Sequence, residues 1–157
     1  MLKEILSPSS CSECKLCCWF DREDQWENPV ISERIADITK KEGPSGELLP
    51  YGKNSFRFKL SFNEEGLAPC PAVTDKGCSL SPEAKPFDCK IWPYRVMRKG
   101  EKLVIVLSPV CETLSARDFS ETKAYGIKIS GEIFREAEEN PDIIKDYIEG
   151  YPIITEK

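Results

Sequence analysis

Residues 94–107 read YRVMRKGEKLVIVL. Two apolar-rich runs, 94–98 and 102–107, flank Lys99-Gly100-Glu101, which is the pattern of a β-hairpin closed by a glycine-containing turn. Pro109 ends the second strand just before Cys111. Upstream, 55–62 alternates Phe56, Phe58, Leu60 and Phe62 with Arg57, Lys59 and Ser61, as a half-buried strand does. Ile31, Ile35 and Ile38 recur at helical spacing over 31–41, ended by Gly43-Pro44. The piece GPSGELLPYG, 43–52, reads as a loop. Downstream of the hairpin the chain reads helical. Phe134 and Ala137 share one segment, and Asn140-Pro141 caps a further helix carrying Ile144, Tyr147 and Ile148, stopped by Gly150 and Pro152.

Between these elements, residues 66–93 hold five of the twelve prolines and three cysteines. Proline lacks the amide donor and fixes φ, so long regular elements are not expected here and something else must order the stretch. The 157 residues contain no internal repeat or low-complexity tract, which predicts one domain. Its expected parts are a motif region over 10–94 and a C-terminal hairpin and helices over 95–150. The expected class is α+β: a small irregular single domain in which a short antiparallel sheet, from 55–62 and the 94–107 hairpin, packs against flanking helices. Long metal-ordered loops complete it.

Composition narrows the chemistry. Twenty-two Lys and Arg against twenty-seven Asp and Glu leave a net charge of −5, which gives no electrostatic drive toward nucleic acid or an anionic membrane. No run approaches the roughly 18 apolar residues of a membrane helix, and Lys3 and Glu4 interrupt the only apolar cluster at the start. A cytoplasmic protein follows as the expectation. Eight cysteines and no histidine exclude His-based triads, HExxH zinc sites and mixed Cys/His fingers. In a reducing compartment, clustered cysteines bind metal or do redox work more often than they form structural disulfides.

Four cysteines lie in Cys11-x2-Cys14-x2-Cys17-Cys18, and four are dispersed at Cys70, Cys78, Cys89 and Cys111. Two cysteines separated by two residues can place both sulfurs on one metal. A helical segment would gather Cys11, Cys14 and Cys18 within about 60° of one another on one face. The competing readings are disulfides and, for Cys111, a small core hydrophobe. Four local and four remote thiols supply two four-cysteine sites, or one such site and a set with another role. Each site would keep about −2 of charge, and Lys15, Lys76, Lys85, Lys90 and Arg95 lie near the cysteines in sequence. Trp19 and Phe20 follow the first cluster, while Phe87, Trp92 and Tyr94 bracket Cys89. Asp75, Asp88, Glu13 and Glu112 read as solvated loop charges, and no catalytic residue is assigned.

The tetrad followed by Pro69-Cys70-Pro71, Gly77-Cys78-x-Leu80 and Lys85-Pro86-x2-Cys89-Lys90-x-Trp92-Pro93 resembles the CxxCxxCC cysteine-cluster family. Members are described as chelating zinc or iron, and flagellin lysine N-methylase carries a similar domain. The resemblance covers roughly 10–94. It departs where Lys85-Pro86 stands in place of an Arg-Pro and in a Cys78–Cys89 interval one residue longer. Lysine keeps the charge without the bidentate fork, so a specific arginine contact does not carry over. The resemblance implies a metal or cluster site using Cys11, Cys14, Cys17, Cys18, Cys70, Cys78 and Cys89; Cys111 joins them from the count of eight.

All-sulfur ligation suits both zinc and iron–sulfur clusters. Adjacent Cys17 and Cys18 are awkward for one tetrahedral ion because neighbouring side chains diverge, whereas a polynuclear cluster spreads its corners, and C-x2-C-x2-C matches the start of a ferredoxin run. An iron–sulfur cluster, [4Fe–4S], is therefore favoured over Zn²⁺. The expected function is redox or cluster handling, or service as an accessory to a modifying enzyme, with a protein partner or client and neither nucleic acid nor membrane. A structural zinc module for protein contacts is one alternative. A cluster-dependent, methyl-transfer-like modifying enzyme is the other, although no GxGxxG loop is present for a Rossmann cosubstrate site.

Overall fold

In the computed structural model, which describes residues 4–7, 12–23, 26–43 and 47–157, the chain is an α+β protein of short strands and helices. It divides into two compact units, Pro8–Lys90 and Met1–Ser7 together with Ile91–Lys157.

The N-terminal unit contains β1 (Trp19–Phe20), β2 (Ile31–Ser32), α1 (Glu33–Glu42), β3 (Leu48–Tyr51), β4 (Ser55–Phe58), β5 (Ala68–Pro69), β6 (Val73–Thr74) and β7 (Gly77–Cys78). α2 (Phe87–Ile91) runs to its end. Strands β2-β4-β3 form a three-stranded antiparallel sheet, and β1-β5 and β6-β7 are two-stranded ribbons. Phe20, Ile31, Ala36, Leu48, Phe58, Leu60 and Ala68 are buried together, with Ala72, Leu80 and Ala84 from the proline-rich stretch.

Polar ties anchor that stretch to the rest of the unit. The buried Thr39 hydroxyl lies 2.8 Å from both the Ile35 and the Ala84 carbonyl oxygens. The Glu42 carboxylate accepts from the Ser81 N–H at 2.8 Å and its hydroxyl at 3.1 Å. Asp88, only 1% exposed, accepts the Val30 N–H at 3.0 Å. The first two satisfy backbone groups that a proline-broken segment cannot pair in a regular ladder, and the third uses a side chain of that segment to satisfy the Val30 N–H.

Three expectations are corrected here. The helix starts at Glu33, because Ile31 pairs with Phe56 in the sheet; Ala36 and Thr39 are its buried residues, and Ile38 is 42% exposed. Within 43–52, Leu48–Tyr51 is a strand. It lies at a sheet edge, where Pro50 can sit without costing a ladder bond. The strand expected over 55–62 ends at Phe58, and Phe62 is exposed.

The C-terminal unit holds β8 (Tyr94–Lys99), β9 (Lys102–Leu107), α3 (Glu112–Ser115), α4 (Phe119–Glu139), β10 (Lys145–Asp146) and β11 (Ile153–Glu156). The 94–107 hairpin forms, but Lys99, read as part of the turn, pairs with Lys102, leaving Gly100 (φ 61°) and Glu101 as a two-residue turn. It is the centre of a sheet ordered β10-β8-β9-β11, separate from β2-β4-β3. The β10–β8 pairing is parallel, so the sheet is mixed.

The helix expected after Asn140-Pro141 is a single 3-10 turn, Pro141–Ile143. The chain then leaves the turn so that Lys145 and Asp146 can pair with Met97 and Arg98. Backbone pairing along β8 outcompetes the local helical pattern. Asp118 caps α4 by accepting the Ser120 N–H at 2.7 Å, and the bond from the Ser120 hydroxyl, followed by that N–H, holds its carboxyl below the usual range. α4 lies close over the sheet: a Cβ at Gly126 would fall 2.6 Å from Ile154 Cγ2 and 2.8 Å from Tyr94 Cε1. The Tyr94 hydroxyl donates to the Thr122 carbonyl at 2.7 Å.

This packing separates two glycines of one helix. Gly126→Ala should destabilise by about 1–3 kcal/mol through overpacking. Gly131→Ala, where a Cβ meets nothing within 4 Å, should stabilise by about 0.4–1 kcal/mol. Urea midpoints of both variants measure this; shifts of the same sign would contradict the close approach of α4.

Candidate metal centre

The cysteines of the N-terminal unit are positioned by the β1/β5 ribbon. Trp19 stands opposite Pro69 and Phe20 opposite Ala68. The ladder runs one step further, as the Cys70 N–H donates to the Cys18 carbonyl at 2.7 Å. Phe20 and Ala68 turn into the core, and Cys70 packs partly buried against the same cluster. Pro69-Cys70-Pro71 then bends: the Val73 N–H donates to the Cys70 carbonyl at 2.9 Å, with Pro71 at the second turn position, where its fixed φ is favourable. The turn leads into the β6/β7 hairpin, which returns Cys78 opposite Val73. Ser79 fastens the hairpin back, its N–H donating to the Ala72 carbonyl at 2.8 Å and its hydroxyl at 3.1 Å.

The tetrad segment lies against this hairpin. Residues 12–14 form a helical turn, Lys15 adopts a left-handed conformation (φ 51°, ψ 6°), and Leu16–Cys18 is a 3-10 turn. The continuous helical face expected for the tetrad is therefore not formed among the described residues. A left-handed non-glycine residue costs about 1–2 kcal/mol. Two contacts favour the bend: the Cys18 N–H donates to the Lys15 carbonyl at 2.8 Å, and Lys15 Nζ donates to the Asp75 carbonyl at 2.9 Å. Ser12 sits against Gly77, whose absent side chain makes room for it; a Cβ there would lie 3.1 Å from Ser12 Cβ.

The candidate ligands are distributed as follows. Cys11 lies outside the described residues. Cys14 and Cys78 are exposed, while Cys17, Cys18, Cys70, Cys89 and Cys111 are half-buried, and all seven stand as thiols. Cys89 is carried by α2, beside the anchored Asp88. Cys111 belongs to the other unit, where it precedes α3 and its thiolate charge would reach Tyr94.

Around Cys70 the sulfurs sense one another. Burial pushes its thiol up to about 11; the Ala72 N–H opposes this, and the charges of Cys78 and Cys17 raise it further. Coulombic reach is longer than coordination reach. Four sulfurs at about 2.3 Å from one zinc ion would be about 3.8 Å apart. Among the described residues no three Cys, Asp or Glu side chains gather closely enough to hold one metal ion.

Other residues near the cysteines have structural roles. Asp88, read as a solvated charge, is a buried acceptor for the β2 approach. Arg95 is buried with its guanidinium 4.9 Å from the Trp92 ring. Phe20 and Tyr94 are core residues, whereas Trp19 is 41% exposed. Lys15 and Gly77 were missed as positioning residues. Glycine before Cys78 was the available signal for a close approach. Comparison with family models, curated proteins and solved structures returned no match.

Because the thiolate is the reactive species, burial of Cys70 has a kinetic signature. In reduced, metal-free protein at pH 8, about one Cys70 in a thousand would be thiolate, given a value about three units higher. Its alkylation by iodoacetamide should rise about tenfold per pH unit toward pH 11, while exposed Cys14 and Cys78 react first. Peptide mass spectrometry reads the order. Early, pH-independent labelling of Cys70 would contradict its buried placement.

Proposed function

We propose that this protein holds an all-cysteine metal centre in its N-terminal unit, a [4Fe–4S] cluster, and acts in redox or cluster handling or as an accessory to a modifying enzyme. The observation that carries the reading is the ladder step between Cys18 and Cys70, with Cys17 and Cys78 within electrostatic reach of Cys70. These four form the centre of the candidate ligand set, and Cys11, Cys14 and Cys89 complete it within the same unit, whereas Cys111 belongs to the other unit. The donors are all thiols in a chain without histidine, which suits soft, sulfur-seeking metals.

Iron–sulfur is favoured over zinc by spacing. Cys17 and Cys18 are adjacent, an awkward pair for one tetrahedral ion, and C-x2-C-x2-C matches the start of a ferredoxin run. When bound, such a cluster supplies one-electron chemistry. The chain's own contribution is to orient and shield. The β1/β5 ribbon fixes the Cys18 and Cys70 backbones, the Pro71 turn ends the ribbon after Cys70, and Phe20 and Ala68 close the core side. Lys15 ties the tetrad segment to the β6/β7 hairpin through the Asp75 carbonyl.

Exposed thiols such as Cys14 and Cys78 survive in a reducing compartment, which supports a cytoplasmic setting. No helix among the described residues is long and apolar enough to cross a membrane.

Protein purified without oxygen should be brown and contain iron and acid-labile sulfide. Cys18→Ser and Cys70→Ser should each lower both by more than about half, because a corner of the cluster loses its thiolate. A colourless preparation with stoichiometric zinc and no iron would overturn the cluster in favour of a structural zinc site. Full metal content in both variants would place the centre elsewhere.

A further inference from the structure

The β1/β5 ribbon has a second face. Side chains alternate along a strand, so while Phe20 and Ala68 enter the core, their neighbours turn outward. Trp19 is 41% exposed and lies opposite exposed Pro69; Leu67, two residues before Pro69, is 37% exposed. These groups form an apolar surface on a unit whose core does not need them. Large aromatic side chains left on a surface are the usual anchors of protein interfaces.

The margin of this surface carries a sign. The 63–66 turn is held by the Asn63 side chain, which accepts the Glu65 and Leu67 N–H groups at 3.0 and 2.9 Å. Glu64 and Glu65 stand exposed at its tip, separated from Leu67 by Gly66. At the other strand end Asp21 is exposed and follows Phe20, with Arg22 at 3.7 Å offsetting part of its charge. An apolar centre with acidic groups at its edge disfavours a second copy of the same face, an anionic membrane and nucleic acid, since each would set like charges together. It complements a protein patch edged with lysine or arginine.

We propose that the outer face of this ribbon, Trp19, Leu67 and Pro69 with Asp21, Glu64 and Glu65 at its margin, docks a partner protein that presents an apolar patch edged by basic residues. Trp19 adjoins Cys18 and Pro69 adjoins Cys70, so the docked partner lies one residue from the candidate ligands. The inference names the partner chemistry for the metal centre proposed above and rests on that reading for its purpose, but the surface stands on its own geometry.

The test replaces Leu67 by photoreactive p-benzoylphenylalanine in the full chain and irradiates cells of the native host. The same residue at Ile127, exposed on α4 of the other unit, is the control. The expected result is one discrete adduct from position 67 and none from 127. Its cross-linked peptide should come from a basic stretch of a different protein. The yield should fall about fivefold or more in Trp19→Ala and in the Glu64→Lys/Glu65→Lys double variant. No adduct from 67, an adduct with a second copy of this chain, or a yield unchanged by charge reversal would overturn the proposal. Iron and sulfide measured on the same preparations separate the two readings: metal retained without an adduct removes only the docking face, and an adduct without metal removes only the cluster.

Discussion

One backbone hydrogen bond organises the N-terminal unit: the Cys70 N–H donated to the Cys18 carbonyl at 2.7 Å. It extends a ribbon of only two residue pairs, Trp19–Pro69 and Phe20–Ala68. A two-stranded ribbon of that length has little stability in water on its own. Here it is held by burial of Phe20 and Ala68. Its register then decides every neighbouring placement. A slip of β1 by one residue would turn Trp19 inward beside Ala68 and put Phe20 in solvent. The same slip would take Cys18 away from Cys70.

Small, rigid and left-handed positions do the rest of the positioning. Pro71 bends the chain after Cys70, Gly77 admits Ser12, and Lys15 takes a conformation that breaks the tetrad into two short turns. The proline-rich stretch has tethers besides any metal. Thr39 holds Ala84, Glu42 holds Ser81, and Asp88 holds Val30, each through a backbone group. Metal loading would therefore tighten a segment that already has an anchored course near α1.

Where the apolar pattern was strong and local, the sequence was readable. The 94–107 hairpin, with β-branched residues on either side of Gly100, forms where it is expected, its first strand one residue longer. Where pairing over distance decides, it was not. Lys145 and Asp146 follow a helix-like start but complete the edge of β8, and Leu48–Tyr51 becomes a strand although its Gly and Pro surroundings suggest a loop. The tetrad was visible by spacing alone, yet its bend at Lys15 depends on Asp75, sixty positions away. Asp88 looked like a surface charge because nothing local marks the Val30 N–H as its partner.

The account turns on Cys17, Cys18, Cys70 and Cys78 acting as one thiolate set around the ribbon. Differential alkylation of oxygen-free, metal-loaded protein, compared with the same protein after metal removal, tests this most directly. The four should resist labelling when loaded and become reactive once stripped, with Cys70 the slowest of them. If Cys18 or Cys70 labels equally fast in loaded and stripped protein, the ribbon does not hold the metal and the account fails.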